Sequence, residues 1–177
     1  MALCAWAGAG VPSAAAQDDR QTYGEAISWY QAEAERGNPD AQYLLAYALE
    51  TGVRGEPDPS AARRWYERAA DRGHVRALYR LGLMLLEGRG GPADEDGARA
   101  RLEEAAEAGD AAARSLLGYL LAGGGPAERE AAYRWLALAA EAGDGAAAAN
   151  LAALINAMTS DELAAAEQSL AEWRAGR

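Results

Sequence analysis

The chain has 177 residues and a formal net charge of −10, and all 17 of its basic residues are arginine because lysine is absent. This acidic balance argues against nucleic acid as a partner and against adhesion to anionic membranes, since both need clustered positive charge. Half of the residues are hydrophobic, yet phenylalanine is absent and alanine is abundant, which favours closely packed helices. The length suits one domain with its own core.

The amino end differs in character from the rest of the chain. An apolar, uncharged run covers 2–11, and three small residues at 14–16 precede Gln17. This order is typical of a secretory signal with its cleavage site, so we predict a signal peptide over 1–16 and a periplasmic or secreted protein. No basic residue precedes Arg20, which leaves open a disordered alanine-rich tail and a cytoplasmic location. No cysteine follows residue 16, so the remaining chain forms no disulfide.

A short phrase recurs along the chain at nearly constant spacing. It reads "ISWYQAEAERG" at its first occurrence and "ARRWYERAADRG" at its second, and its closing glycines are Gly37, Gly73, Gly109 and Gly143. The intervals between these glycines are 36, 36 and 34 residues. A fixed period of this size indicates a stacked array of supersecondary units, which usually provides a binding surface.

Each period contains two helical patterns and no strand-like alternation. The first helix of the first full unit has apolar residues at i, i+3, i+4, i+7 and i+8, namely Ala41, Leu44, Leu45, Ala48 and Leu49. The second helix repeats this spacing with Ala62, Trp65, Tyr66, Ala69 and Ala70. One column of the second helices contains Trp29, Trp65 and Trp135, which we interpret as core. The chain is therefore predicted to be all-α.

Helix ends are marked by matching residues in successive units. Glycines in the left-handed conformation are predicted just after helices at Gly37, Gly52, Gly73, Gly88, Gly109, Gly124 and Gly143. Helix N-caps are predicted at Asn38, Asp58, His74, Asp94, Asp110 and Asp144. Capping boxes are predicted at Thr22 with Glu25 and at Thr159 with Glu162. These signals place a helical array over 17–157 and a C-terminal capping helix within 158–177.

Strings such as "AQYLLAYALETG" followed by "AARRWYERAADRG" resemble the Sel-1-like repeat family, relatives of the tetratricopeptide repeat. The resemblance covers roughly 22–157, as three full helix pairs with partial units at both ends. Leucine stands where the family usually has tyrosine at Leu49, Leu85 and Leu121, and Arg101 replaces a tryptophan. The resemblance implies an α-solenoid with a right-handed superhelix whose first helices line the concave side. It also implies an adaptor or regulator that binds other proteins, often a bacterial exported one, and no conserved reaction.

The outward side of the first helices provides the candidate partner-binding residues. They are Tyr43, Tyr47, Arg76, Tyr79, Leu83 and Tyr119. Tyrosine offers a large, rigid contact area with a polar tip, which suits recognition of a peptide or helix. The alternative is that some of these tyrosines pack against the neighbouring unit. The fourth unit has only Ala149, Ala153 and Asn156 in this position, so we expect binding in the first three units.

The sequence signals for a catalytic, cofactor-binding or metal-binding site are weak or absent. His74 stands where other units have Asn or Asp, so it is interpreted as a cap. The acidic run at 94–96 is explained by favourable charge at a helix start, and the glycine-rich run at 88–91 lacks the lysine of a phosphate-binding loop. Some secreted Sel-1-like proteins are linked to β-lactam hydrolysis, but this chain has no Ser-x-x-Lys motif and no cysteine pair. We expect a non-catalytic monomer without cofactor that binds a protein or peptide.

Overall fold

The computed structural model describes residues 28–53 and 55–176 of the chain. Within these residues it contains nine helices and no strand. In chain order they are α1 (within 28–35), α2 (Pro39–Thr51), α3 (Pro59–Ala70), α4 (Val75–Glu87), α5 (Glu95–Glu107), α6 (Ala111–Leu121), α7 (Pro126–Glu141), α8 (Gly145–Ala157) and α9 (Ser160–Ala175). The predicted signal segment at 1–16 and the capping box at Thr22 and Glu25 lie outside the described residues.

The helices stack as repeated pairs. In each of the first three pairs, the first helix packs on the second helix of its own unit: α2 on α3, α4 on α5 and α6 on α7. Each second helix also packs on the first helix of the next unit, as α3 does on α4 and α5 on α6. Most contacts between the described helices are thus with the helix that comes next in the chain. This arrangement is an all-α solenoid, which confirms the predicted fold class.

The predicted caps are present at the predicted residues. Carboxylate or amide oxygens of Asn38, Asp58, Asp94, Asp110 and Asp144 accept backbone N–H groups in the first turns of their helices. Thr159 and Glu162 form the reciprocal capping box of α9. Six of the seven predicted glycines have a positive φ, but Gly124 does not. The prediction for Gly124 is wrong because α6 ends at Leu121 and the shortened connection to α7 reaches Pro126 without a left-handed residue.

Small residues allow the two helices of a unit to approach closely. A Cβ atom added at Gly82 would lie 2.7 Å from Leu102 Cγ, and one added at Gly118 would lie 2.6 Å from Leu136 Cγ. These distances are well inside van der Waals contact, so a side chain at either position would push the paired helices apart. The buried leucines of one helix thus occupy the space that glycine leaves on the other.

Two expectations about the core are wrong. Leu44 is 39% exposed, whereas Leu116, the equivalent residue two units later, is half-buried against the core. Trp29 is 57% exposed, whereas Trp135 in the same column is 1% exposed and packs edge-on against Trp173 of α9. Trp65 of the same column is half-buried against the core, so full burial is seen at Trp135, where α9 covers the ring.

The last pair of helices departs from the pattern. Helix α9 packs against α7 and scarcely contacts α8, although α8 immediately precedes it in the chain. Arg129 and Arg174 pair with Glu162 and Glu141, so the start of α9 lies near the start of α7 and the two helices run parallel. Only Met158 and Thr159 connect α8 to α9, against seven residues between α2 and α3. The short connection leaves α9 lying on α7.

Candidate functional site

The candidate site is the outward side of the first helices, here called the first-helix face. It consists of the residues at two columns of the repeat: Tyr43, Tyr79 and Ser115 in one, and Tyr47, Leu83 and Tyr119 in the other. Tyr47 is 39% exposed and Tyr119 is 62% exposed, which makes them two of the large hydrophobic side chains that the described structure leaves open to solvent. The columns exist because a repeat of 36 residues brings equivalent positions of successive units to the same side.

Tyr43 lies at the centre of an aromatic cluster that joins α2 to α4. Its ring stacks on His74 with centroids 4.6 Å apart and planes 17° apart, and it also contacts the rings of Tyr47 and Tyr66. Tyr43 is half-buried, with these rings around it.

His74 combines a cap with a bridge between helices. Its Nδ1 accepts the backbone N–H of Ala77 at 3.1 Å, which confirms the predicted cap of α4. Its Nε2 lies 3.4 Å from Asp40 Oδ1 on α2. Burial lowers the pKa of His74, and the Asp40 carboxylate opposes that shift only in part. The neutral ring, with its proton on Nε2, fits both contacts at once.

Glu50 is the centre of the second polar cluster, at the other end of α2. Its side chain is only 7% exposed and accepts hydrogen bonds from the Tyr66 hydroxyl at 2.7 Å and from Arg89 Nη1 at 2.6 Å. Arg80 Nη1 lies 3.7 Å from the same carboxylate. Burial and this hydrogen bond raise the pKa of Tyr66 far above its ordinary value, so its hydroxyl stays protonated and donates.

Glu50 also fixes the cation above Tyr47. Arg80 Cζ lies 5.4 Å from the centroid of the Tyr47 ring while its guanidinium remains beside Glu50. The exposed ring is therefore in contact with both the Arg80 guanidinium and the Tyr43 ring, and the two tyrosine planes are 23° apart. A side chain fixed in this way loses little rotamer freedom when a ligand binds.

The remaining predicted site residues lie along α4 and α6. Arg76 is exposed and lines a cleft of about 390 Å³ with Tyr43, Leu44, His74 and Val75. It forms no ion pair with another residue of 28–53 or 55–176.

Tyr79 and Leu83 are half-buried on α4, and burial raises the pKa of Tyr79. Tyr119 lines a second cleft, of about 490 Å³, with Leu120, Asn150 and Ala153 among its other lining residues. The structure thus brings the six predicted residues to one side of α2, α4 and α6.

Charge is distributed unevenly between the two kinds of helix. The first helices α2, α4, α6 and α8 carry equal numbers of acidic and basic residues, namely Asp40, Glu50 and Glu87 against Arg76, Arg80 and Arg114. Of the second helices, α5, α7 and α9 each carry an excess of acidic residues, whereas α3 carries an excess of basic ones. The first-helix face is therefore close to neutral in a strongly acidic chain.

Sequence reasoning missed three contributors to this face. Leu44 was assigned to the core, yet it lines the cleft beside Arg76. The clustering of Arg80 and Arg89 on Glu50 joins residues up to 39 positions apart, and no local pattern indicates it. The stacking of His74 on Tyr43 was also not predicted from the sequence. The available signal was that His74 is an aromatic residue at a cap position where the other units have Asn or Asp.

Two further observations concern metal binding and membrane insertion in the described part of the chain. No group of three or more His, Cys, Asp or Glu side chains there could hold a metal ion. No helix there is both long enough and apolar enough to cross a membrane.

Comparison with known proteins identifies the repeat. The Sel1 repeat family matches residues 39–74, 75–110 and 111–144, which together make up more than half of the chain. No curated protein matches significantly.

Among solved structures, a protective antigen present in uropathogenic Escherichia coli strains, described as displaying an SLR fold, is 33% identical with a TM-score of 0.67. That match covers 71% of this chain and 27% of the antigen. A Sel1 repeat protein from Oxalobacter formigenes is 30% identical with a TM-score of 0.62, covering 72% of this chain and 56% of that protein. The chain thus spans about a quarter of the first neighbour and about half of the second. On the family match and the three stacked helix pairs, the chain belongs to the Sel1 repeat family.

Proposed function

We propose that this protein is a non-catalytic scaffold or adaptor that binds a protein or peptide on its first-helix face, the concave side of the solenoid. The observation that carries the proposal is the exposure of Tyr47 and Tyr119 on that face, with the exposed Leu44 next to Tyr43 at its edge. Large apolar side chains that remain open to solvent, close together and rimmed by polar groups, are typical of interaction sites. Sel1 repeat proteins are generally scaffolds for protein–protein interactions, which supports the same conclusion.

The fixed geometry of the face adds to this support. Tyr47 contacts both Tyr43 and Arg80, and the Arg80 guanidinium lies 3.7 Å from the buried Glu50 carboxylate. Rigid aromatic side chains contribute most to binding when their ordering is completed before the partner arrives. The first cleft of this face is lined by aromatic and aliphatic side chains with Asp40, His74 and Arg76, and His74 there already caps α4.

Affinity capture with the purified protein as bait tests the binding face. We expect the double variant Tyr47→Ala with Tyr79→Ala to lose the captured partner while its helicity by circular dichroism is unchanged. Arg64→Ala, an exposed residue of α3 on the opposite helix layer, is the matched control and should capture as the wild type does. Capture that is unaffected by the double tyrosine variant would place binding elsewhere.

We propose in addition that the protein is exported to the periplasm or secreted and acts there as a monomer. The support is the apolar segment and small-residue site at 1–16, together with the similarity to a bacterial protective antigen. Mass spectrometry of the amino terminus of the natural protein tests this, and we expect a chain beginning near Gln17. A natural chain that still begins at Met1 and fractionates with the cytoplasm would refute export.

A further inference from the structure

Helix α8 leaves open the side on which the other first helices receive a second helix. Ala152 of α8 is exposed, and its neighbours Leu151 and Ile155 are half-buried. The residues equivalent to Ala152 in the first three pairs are all buried, namely Ala46, Gly82 and Gly118. Helix α9 follows α8 in the chain but lies on α7 and scarcely contacts α8. In the described structure, α8 therefore has the docking side of a pair without the second helix.

Helix α1 has the complementary surface open. It belongs to the first occurrence of the recurring phrase, which forms the second helix in later units. Trp29 is 57% exposed, and the adjacent Tyr30, whose ring meets it edge-on with centroids 5.2 Å apart, is half-buried. The residues equivalent to Tyr30 in α3, α5 and α7 are each 0% exposed, namely Tyr66, Leu102 and Leu136. A second helix thus buries this position when it is paired with the first helix of its own unit.

The paired helices of this chain follow one of two combinations at their closest approach. In the second and third pairs glycine faces leucine, as Gly82 faces Leu102. In the first pair Ala46 and Tyr66 take these positions, and the Tyr66 hydroxyl donates to Glu50 at 2.7 Å. The residues equivalent to Glu50 in the second and third pairs are apolar, namely Leu86 and Ala122. Tyrosine thus occurs with alanine and a polar acceptor, and leucine occurs with glycine and no acceptor.

Helices α8 and α1 together supply the first of these combinations. Helix α8 has Ala152 at the alanine position and the exposed Asn156 at the acceptor position, while α1 has Tyr30 at the tyrosine position. We propose that α1 of a second copy of this chain docks on α8, head to tail, and completes a helix pair there. In that pair the Tyr30 hydroxyl donates to the side-chain carbonyl oxygen of Asn156.

The exposed tryptophan of α1 also has a place on α8. In α7, Trp135 lines a cleft with two leucines of the first helix of its unit, namely Leu117 and Leu121. The residues of α8 equivalent to these leucines are Leu151 and Ile155. Docking as a second helix places Trp29 beside them, so apolar surface that is open on both copies is removed from water.

The segment one repeat before α2 matches α1 less well than α8 does. Its sequence has Gly10 and Ala14 at the two positions that α8 fills with alanine and asparagine. Alanine offers no side-chain acceptor to the Tyr30 hydroxyl, and Pro12 between these residues disfavours a helix. A second copy of α8 is therefore the better partner for α1.

The contact should be weak and open-ended. One helix docking on another buries an area at the low end for specific interfaces, below about 1,200 Å² in total. Glu33 of α1 stands where later second helices have an alanine that is 0% exposed, namely Ala69, Ala105 and Ala139, and covering its ion pair with Arg36 opposes docking. Because the two surfaces differ, each added copy leaves one of each kind free. The dilute protein is thus the monomer proposed above, and chains of copies form as its concentration rises.

Sedimentation velocity of the full chain at increasing concentration tests the association. We expect the weight-average mass to rise between about 10 µM and about 1 mM, the range of a weak contact, without stopping at the dimer. Trp29→Arg and Ala152→Arg should each weaken the association at least about tenfold, because each places a charge in the contact. Both residues are exposed in the single chain, so both variants should keep the helicity of the wild type by circular dichroism. Ala112→Arg, the same change at an exposed alanine of α6, is the matched control and should associate as the wild type does.

Mixing the two variants tests the head-to-tail arrangement. The Trp29→Arg protein keeps an intact α8, and the Ala152→Arg protein keeps an intact α1. An equimolar mixture should form a complex with one copy of each and no larger species, since the other surface of each copy is blocked. A symmetric contact between two α8 helices would instead leave the Trp29→Arg protein associating with itself, and that result would overturn the inference.

Two smaller changes test individual side chains. Tyr30→Phe removes only the hydroxyl and should weaken the association about threefold or more. Glu33→Ala restores the alanine of the other second helices and should strengthen the association. A wild type that stays monomeric at the highest concentration, a mixture that does not associate, a Tyr30→Phe protein that associates as the wild type does, or a Glu33→Ala protein that associates more weakly would each overturn the inference.

This contact is separate from the first-helix face. The double variant Tyr47→Ala with Tyr79→Ala should therefore associate as the wild type does, because both of its substitutions lie on α2 and α4. Failure of the association leaves the proposed function standing, since partner capture through the first-helix face is measured independently.

Discussion

Replacing Glu50 by glutamine should both weaken the fold and loosen the candidate site. The substitution keeps the size of the side chain but removes the charge that the Tyr66 hydroxyl, Arg89 and Arg80 share. A hydrogen bond to a buried charged acceptor contributes about 1.5 kcal/mol or more. The two ion pairs add less, because the Arg89 and Arg80 side chains are 37% and 34% exposed and solvent screens them.

Together these terms predict a loss of about 2 kcal/mol in the free energy of unfolding, or about 4–8 °C in Tm for a chain of this length. The loss should appear in urea denaturation followed by circular dichroism at 222 nm. Glu87→Gln is the matched control, since Glu87 is 53% exposed and pairs with Arg89 at the surface. We expect that variant to lie within about 0.5 kcal/mol of the wild type.

A double-mutant cycle isolates the central bond. Tyr66→Phe removes only the hydroxyl, so Glu50→Gln and Tyr66→Phe together should destabilise less than the sum of the two, by about 1 kcal/mol. Glu50→Gln should also reduce partner capture, because Arg80 is then free to leave the Tyr47 ring. A Glu50→Gln protein as stable as the wild type, or a coupling energy near zero, would refute the reasoning that this carboxylate is the common anchor of the Tyr66 hydroxyl and the two arginines.

Two further predictions concern packing and pH. Gly118→Ala should destabilise the protein by about 1–2 kcal/mol in chemical denaturation, because the clash with Leu136 outweighs the gain of about 1 kcal/mol in helix propensity. Gly145→Ala is the control and should be neutral or stabilising, because its added Cβ meets nothing within 4 Å. A Gly145→Ala protein less stable than Gly118→Ala would contradict the packing argument. Since burial lowers the pKa of His74 below its unfolded value of about 6.5, the unfolded chain binds the proton more readily, so stability is present above that pH and is lost as the pH falls below it. His74→Asn keeps an acceptor for the cap and should show a smaller fall in Tm between pH 7.5 and pH 5.5 than the wild type does; equal falls would mean that His74 does not contribute.

Much of the fold follows from local patterns. The period of 36 residues, the i, i+3, i+4 spacing and the caps at Asn38, Asp58 and Asp94 predicted the helix pairs and most of their ends. These signals are readable because each helix buries its own apolar side and ends on residues that satisfy its own backbone groups. The prediction of a left-handed conformation at Gly124 was wrong because this glycine lies in a shorter loop, where the chain needs no left-handed residue.

The candidate site was predicted only in part. The sequence placed Tyr47 and Tyr119 on the outward side of the first helices, and both are exposed. It could not show that Tyr43 is enclosed by other rings or that Leu44 joins the cleft beside Arg76. Both outcomes depend on which neighbouring unit covers each position, and periodicity gives the side of a helix without giving its neighbours.

The sequence by itself determined the repeated unit, the all-α class and the charge of the chain, because repeat length, apolar spacing and caps act over a few residues. Only the tertiary structure decided which equivalent residues differ in environment. Trp29 is exposed and Trp135 is buried although they share a column, since α9 lies on α7 and covers one of them. The cluster at Glu50 arises likewise from contacts between units, which form only when the helices stack.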